Sequence, residues 1–322
     1  MVRCVAVRRF HPPRGFLTEV TGTVPFTASS TAAPKGTPGG QAALRTESAE
    51  RMLVIEAGRA DRNYWYDLWH YRELFAILAW RDVSVRYKQT VIGVAWAVIR
   101  PFLTMIVFTV LFGNLAKLPS DGSVPYALLV LAGMLPWFLV ASILNEASMS
   151  LVANSNLVGK VYFPRIIIPA SAAVVAIVDF VINLGLLIAV MIWYGFIPDW
   201  RIVLLPALII LSVLASLGPA LLIAALNVKY RDFRYVIPFI VQFGLYVSPV
   251  GFSSAVVPEK WRLLYSLNPV VGIIDGFRWC VLGGESQLYM PGFLTSFIVV
   301  AIMLWLGVRY FRRTERSFAD VI

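Results

Sequence analysis

Residues 81–101 read RDVSVRYKQTVIGVAWAVIRP. Arg81, Asp82, Arg86 and Lys88 precede an apolar run, and Arg100 and Pro101 then fall inside that run. Whether the run crosses a membrane decides the fold, and composition answers first. Of 322 residues, 59% are hydrophobic and 14% charged, against roughly 45–50% and about 25% in soluble domains. The chain is a polytopic membrane protein.

Six apolar segments follow the charged stretch, measured against the ~20 residues, at 1.5 Å rise, that a ~30 Å hydrocarbon core requires. They lie at about 91–116, 124–145, 166–195, 201–226, 236–254 and 291–310. The fifth contains Pro238 and Pro249, which predicts a kink. Residues 255–290 are too apolar for an ordinary loop, yet Asn268-Pro269 and Gly283-Gly284 break them. Two short helices that dip into the membrane without crossing it are expected there. The expected fold is all-α: six transmembrane helices over 91–310, a re-entrant region at 255–290 and a tail at 311–322.

Upstream, Tyr64, Leu68, Tyr71, Phe75 and Leu78 recur at three- and four-residue intervals and form one helical stripe. Trp65, Trp69 and Trp80, with Arg72, Arg81 and Arg86, surround that stripe. An amphipathic helix lying in the headgroup region is therefore expected within 52–90. Residues 1–51 are rich in Ala, Thr, Gly, Pro and Arg and lack apolar periodicity. They read either as a disordered extension or as a misassigned start with Met52 as the first residue.

The formal charge of +10 raises nucleic acid as a partner, but its distribution points to membrane topology instead. With the N-terminus inside, thirteen Lys/Arg lie on the cytoplasmic side, from Arg72 to Lys88, at Lys160 and Arg165, from Lys229 to Arg234, and from Arg309 to Arg316. The opposite side holds five: Lys117, Arg201, Lys260, Arg262 and Arg278. An even number of spans and this asymmetry place both termini in the cytoplasm.

Arg100 stands about nine residues, or ~14 Å, into the first segment, too deep for an uncompensated charge in lipid. Two arrangements resolve this. Residues 91–100 continue the interfacial helix and bend at Pro101, or Arg100 faces a watery cavity within a helix bundle. Both imply a wet, charged cytoplasmic entrance beside the first span.

Catalytic chemistry finds no footing in the sequence. His11, His70, Cys4 and Cys280 have no metal-ligand spacing and no disulfide framework. The only Gly-Lys pair, Gly159-Lys160, is followed by Val161, with no glycine five residues earlier, so there is no nucleotide-binding loop. Asp179 is the one acid within a span, and Asn183 shares its helical face. An intramembrane acid suits a transport role and equally an interhelical hydrogen bond. The stretch EASMSLVANSNLVGKVYFPR, 146–165, places turn and cap formers Asn154, Ser155 and Asn156 before the apolar Leu157, Val158, Val161, Tyr162 and Phe163. A short cytoplasmic helix with that face needs cover, from a soluble partner or from its own membrane.

Three stretches, YRELFAILAWRDVSVRYKQTVIGVAWAVIRP, NSNLVGKVYFPR and SLNPVVGIIDGFRW, closely resemble the permease subunits of ABC type-2 exporters of polysaccharide, which carry O-antigen, capsule or teichoic acid. The resemblance covers about 52–315. It implies a homodimeric channel with two copies of a separate ATPase docked beneath, so that this chain is no enzyme and binds no cofactor, while ATP and Mg sit on the partner. It implies that Asn154, Ser155, Asn156, Lys160, Tyr162, Phe163 and Arg165 belong to the ATPase-coupling region. It also implies that Arg81, Asp82, Arg86, Tyr87 and Lys88, with Arg100, stand at the cytoplasmic entrance. There they meet either the pyrophosphate of a lipid-linked polysaccharide or phospholipid headgroups.

Sugars present C–H faces that pack on aromatic rings. Trp96, Phe102, Phe108, Phe112, Trp137, Phe138, Phe239, Phe243 and Tyr246 are candidates to line such a channel, or simply to face lipid. The implied location is a bacterial cytoplasmic (inner) membrane. Rival readings are an ABC type-2 exporter of a small amphiphile, such as a drug or lipid, and a membrane enzyme of glycan assembly; the lack of paired acids or a histidine in a loop weighs against the enzyme.

Overall fold

The computed structural model describes residues 64–88, 93–120, 122, 124–161, 163–283, 286 and 288–318. The extension 1–51, Met52, Tyr162 and the last four residues of the tail lie outside the described residues. Those described are helical, with connections that are short or carry single 3-10 turns.

The charged stretch forms α1, Tyr64–His70, and α2, Arg72–Lys88. Next comes α3, Gly93–Phe108, which runs on as a π-helical turn over Thr109–Leu115. Pro101 lies inside α3 without ending it. Arg100 and Pro101 thus share one helix, which begins at Gly93, after α2 has ended at Lys88.

The second apolar segment is longer than expected. Helix α4, Tyr126–Ala153, continues eight residues past 145 because EASMSLVA contains no breaker and buries Ala147, Ser148, Ser150 and Leu151. The Ser148 and Ser150 hydroxyls donate back to carbonyls of Leu144 and Ala147, which removes their competition with the helix. The expected loop 146–165 thus shrinks to α5, Ser155–Lys160, and a few flanking residues.

Helices α6, Ile167–Trp193, and α7, Leu205–Lys229, flank α4. Gly195, at φ +64°, terminates the α6 side of their connection. The fifth segment forms α8, Phe233–Val247, with Pro238 inside and Pro249 beyond its end. Its 15 residues span about 22 Å at 1.5 Å each. Among the described residues, five helical segments, Val94–Leu115, α4, α6, Trp200–Lys229 and Met290–Ser317, have the length and hydropathy to cross a membrane, and α8 is a shorter apolar helix.

Two short helices occupy the 255–290 region, α9, Glu259–Tyr265, and α10, Pro269–Val281. Asn268 caps α10, its side chain accepting from Val270 N at 3.1 Å, with Pro269 as the first helical residue. The last helix is α11, Met290–Thr314.

Two cores follow from this arrangement. The larger surrounds α4, which is buried along most of its length against α6, α7 and α10. The smaller lies at the end carrying α1, α2, α5 and the chain's C-terminal turn, and joins Leu78, Val158, Phe163, Ile167, Phe311 and Phe318. Tyr64, Leu68, Tyr71 and Phe75 pack against it. The stripe read from the sequence therefore faces the protein. Phe163 is buried in this core and Leu157 packs against it half-buried, whereas Val161 is exposed.

Candidate functional site: a charged end and the cavity above it

Helix α2 lies across α6, and its last turn turns polar groups toward α4 and α6. Arg86 bridges both, with Nη1 donating to Glu146 Oε1 at 2.9 Å and Nη2 paired with Asp179 Oδ2 at 2.7 Å. Tyr87 donates its hydroxyl to the other oxygen, Asp179 Oδ1. Burial, and the hydrogen bond to the Asp179 carboxylate, push the Tyr87 phenol up, so it remains a donor at physiological pH. Asp179, the acid that the sequence places within an apolar segment, is thus tied to α2 by two neighbouring residues. Asp179 serves the interhelical role that the sequence left open beside a transport role.

One turn earlier, Arg81 donates to Asp82 Oδ1 from Nε and Nη2, at 2.9 and 2.7 Å. The same Nη2 donates to Asn154 Oδ1 at 2.9 Å, while Asn154 Nδ2 donates to Ser150 O at 2.9 Å. Asn154 sits where α4 hands over to α5, yet its side chain makes no cap. It joins α2 to the start of α5 instead. Lys88 is exposed. In α5, Asn156, Gly159 and Lys160 face outward, Ser155 is half-buried, and a side chain at Gly159 would meet nothing within 4 Å.

Arg165 is anchored from the far end of the chain. Its backbone N donates to Glu315 Oε1 at 2.5 Å, and its guanidinium reaches the Glu315 carbonyl. Glu315 Oε2 accepts from the Tyr64 hydroxyl at 3.1 Å, and Arg312 lies 4.6 Å over the Tyr64 ring. Burial, and then the Glu315 charge, push the Tyr64 phenol up and keep it a donor. One carboxylate therefore joins α1, the YFPR corner and the C-terminal turn. Sequence reading missed Glu315, Glu146 and Phe318: each is an ordinary residue whose partner lies far away in the chain.

Above Arg86 opens a cavity of about 310 Å³ walled by α3, α4 and α6. Trp96, Arg100, Phe138, Asp179 and Asn183 line it. The Arg100 guanidinium stands 5.8 Å over the Phe138 ring. Asn183 is 6% exposed, and its Oδ1 has no hydrogen-bond donor among the described residues, a deficit that ordinarily costs about 1–3 kcal/mol. A second cavity, about 440 Å³, lies beside Arg81, Asp82, Glu146 and Asn154.

The aromatic candidates separate into two groups. Phe108 and Phe112 pack edge-to-face at 5.4 Å and fill the space above Gly251, while Trp137 is buried against Gly244. Trp96, Phe102, Phe239, Phe243 and Tyr246 are exposed, with Phe239 and Phe243 stacked at 6.1 Å.

Arg278, one of the five basic residues that the charge count places opposite the termini, is a buried group and not a surface flank. It is 1% exposed, in α10, and donates to the carbonyls of Leu129, Phe252 and Val250 at 3.1, 2.8 and 3.0 Å. Its signal was a single arginine amid VVGIIDGFRW, which positive-inside counting treats as a flank.

The Asp179 cluster yields a graded expectation. Asp179 is 12% exposed and Arg86 41%, so the pair is weakened by solvent on one side only. Asp179→Ala removes the ion pair and the Tyr87 acceptor together and is expected to destabilise by roughly 2–3 kcal/mol. Glu146→Gln touches an exposed pair and is expected to cost about 0.2–1 kcal/mol. Thermal unfolding in detergent, with proteolysis of α2 as the local readout, measures both; equal effects would remove Asp179 from its central place.

Five long apolar helices, short helices before the last, and a basic end tied together by charge define a multi-pass membrane protein of the permease class. Residues 73–282 match the family model described as ABC-2 type transporter, and the chain belongs to that family. It is similar to the O-antigen export system permease protein RfbA of Klebsiella pneumoniae, 27% identical over 268 residues, covering 80% of this chain and 98% of the relative. The RfbA of Myxococcus xanthus is 26% identical over 259 residues, with 80% and 98% covered. The polysialic acid transport protein KpsM of Escherichia coli is 20% identical over 239 residues, with 74% and 92% covered.

Proposed function

We propose that this chain is the permease subunit of an ATP-driven exporter of lipid-linked polysaccharide in a bacterial inner membrane, with both termini in the cytoplasm. Two copies form the path and two copies of a separate ATPase drive it, carrying ATP and Mg. The likeness, over 80% of this chain and 98% of each relative, to permeases named for O-antigen export carries this reading. Membrane lipids surround the assembly, and the basic residues serve topology, not nucleic acid. The sixth crossing is α8 with the turns that follow it.

In this reading the outward edge of α5 receives the ATPase. Closure of the paired ATPases on ATP shifts α5. The Asn154–Arg81 hydrogen bond passes the shift to α2, the small core that Phe163 shares with Phe311 and Phe318 passes it to α11, and Arg86–Asp179 passes it to α6. No covalent chemistry is required of this chain. The exposed aromatics of α3 and α8 supply ring faces to the cargo.

The test is recovery of the tagged chain from native membranes with whatever accompanies it. An equimolar ATPase is expected; a chain repeatedly recovered alone would overturn the reading. Gly159→Trp sharpens the result, because space is open there. It should leave the fold intact and lower ATPase recovery by on the order of tenfold, as expected for a bulky intrusion at an interface centre. Unchanged recovery would place the ATPase elsewhere.

A further inference from the structure

Arg86 and Arg100 both line the cavity between α3, α4 and α6, and their circumstances differ. Arg86 is paired with Glu146 and Asp179. Arg100 has the Phe138 ring as its partner, and no carboxylate among the described residues lies within 4.0 Å of it. Both carboxylates bond to Arg86 and neither contacts Arg100; Glu146 lines the neighbouring cavity, so the charged groups lining this one, Arg86, Arg100 and Asp179, sum to one positive charge, and the Arg100 guanidinium has no contacting counter-charge among the described residues. Arg100 stands seven residues into α3, about 10 Å along the helix. A guanidinium at such depth in an apolar helix calls for an anion. Across the cavity stands the Asn183 carboxamide, nine-tenths buried and short of a donor for Oδ1.

We infer that this cavity binds a lipid headgroup that combines a phosphate with hydroxyl groups, the phosphate on Arg100 and a hydroxyl on Asn183. A guanidinium matches phosphate oxygens with paired N–H donors. A hydroxyl supplies the donor that the Asn183 oxygen lacks and accepts in return from its NH₂. Trp96 and Phe138 offer ring faces to the carbon skeleton between them. At about 310 Å³ the cavity falls at the small end of ligand pockets, which suits a headgroup and excludes a long glycan. Access is lateral, since the neighbouring α3 residues Trp96, Ile99 and Leu103 are exposed. Two sources carry this chemistry: a hydroxylated phospholipid such as phosphatidylglycerol, and the first phosphosugar of a polyprenyl-linked glycan. The second source rests on the proposed export function, whereas the site itself does not.

Native mass spectrometry of the full chain from nanodiscs tests it with three probes: phosphatidylglycerol, phosphatidic acid, which lacks the headgroup hydroxyls, and polyprenyl diphospho-N-acetylglucosamine. One retained phosphatidylglycerol or glycolipid per chain is expected. Arg100→Gln should weaken retention of all three by about ten- to a hundredfold, the loss of one charge-assisted contact, and Arg100→Lys should restore part of it. Asn183→Leu should weaken the two hydroxylated probes by about tenfold and leave phosphatidic acid unchanged. Equal retention by Arg100→Gln and the parent chain, or an Asn183→Leu effect that includes phosphatidic acid, overturns the inference. Binding of phosphatidylglycerol without the glycolipid upholds the site as one for the membrane's own lipid, and the ATPase recovery experiment then decides the export function separately.

Discussion

Arg278→Leu is expected to abolish the stably folded permease, with an effect on the order of 4–5 kcal/mol, the upper end for a single substitution. The guanidinium serves three carbonyls from two distant segments, Leu129 on α4 and Val250 and Phe252 after α8. Leucine fills part of the volume and leaves these acceptors short of a donor where no bulk water reaches them. Burial of the leucine side chain gives little in return, because lipid is as apolar as the interior. Arg278→Lys keeps the charge but loses the planar fork, so an intermediate loss is expected. Gly133→Ala approaches the same contact from the other side: its Cβ would stand 2.6 Å from Arg278 Nη2 and 3.1 Å from Val250 O. Folded yield in membranes and the thermal midpoint in detergent measure the series. The order Leu worst, then Lys, with Gly133→Ala also impaired, is the expected result; a midpoint for Arg278→Leu within about 2 °C of the parent would deny the guanidinium its structural role.

Why Arg278 escaped sequence reading is instructive beside what did not. The stripe from Tyr64 to Leu78 was legible because helical period is local, and Asn268-Pro269 marked the start of α10 because capping spans three residues. Long apolar runs gave the crossing helices for the same reason. The ties of the site are not local. Arg86 meets Asp179 from 93 positions away, Arg165 meets Glu315 from 150, and Arg278 meets Leu129 from 149. Hydropathy ranks such residues as flanks or interruptions, and a lone sequence holds no signal that pairs them. The end of α4 failed differently: a serine-rich run reads as loop, but serines that bond back to their own helix and bury against α7 prolong it. Arg100 and Asp179 were recognisable as charges needing an explanation, while their differing answers, an aromatic cavity wall and an arginine, depended on which helices meet.

Gly307→Leu is expected to disrupt the chain almost as severely, by about 3 kcal/mol or more, through the closest helix crossing in the described structure. A Cβ on Gly307 would lie 2.0 Å from the Gly218 carbonyl oxygen, and one on Gly218 would lie 2.7 Å from the Leu304 backbone. Helices α7 and α11 thus touch backbone to backbone. In lipid, where apolar side chains gain nothing from leaving their surroundings, such contact between small residues is a main source of helix association. Consequences run down α11, since Phe311 and Glu315 follow Gly307 at four-residue steps on the same face. Displacing the crossing draws Phe311 from the smaller core and Glu315 from Arg165 and Tyr64. Gly307→Ala should show a smaller loss of the same kind. Gly185→Leu, where a side chain meets nothing within 4 Å, should stay within about 0.5 kcal/mol of the parent. The diagnostic measurement is a double-mutant cycle with Tyr64→Phe, read by thermal unfolding. If the crossing positions Glu315, Tyr64→Phe costs stability in the parent and almost nothing in Gly307→Leu, a non-additivity of about 0.5–1 kcal/mol; strict additivity would mean that the crossing and the basic end hold independently.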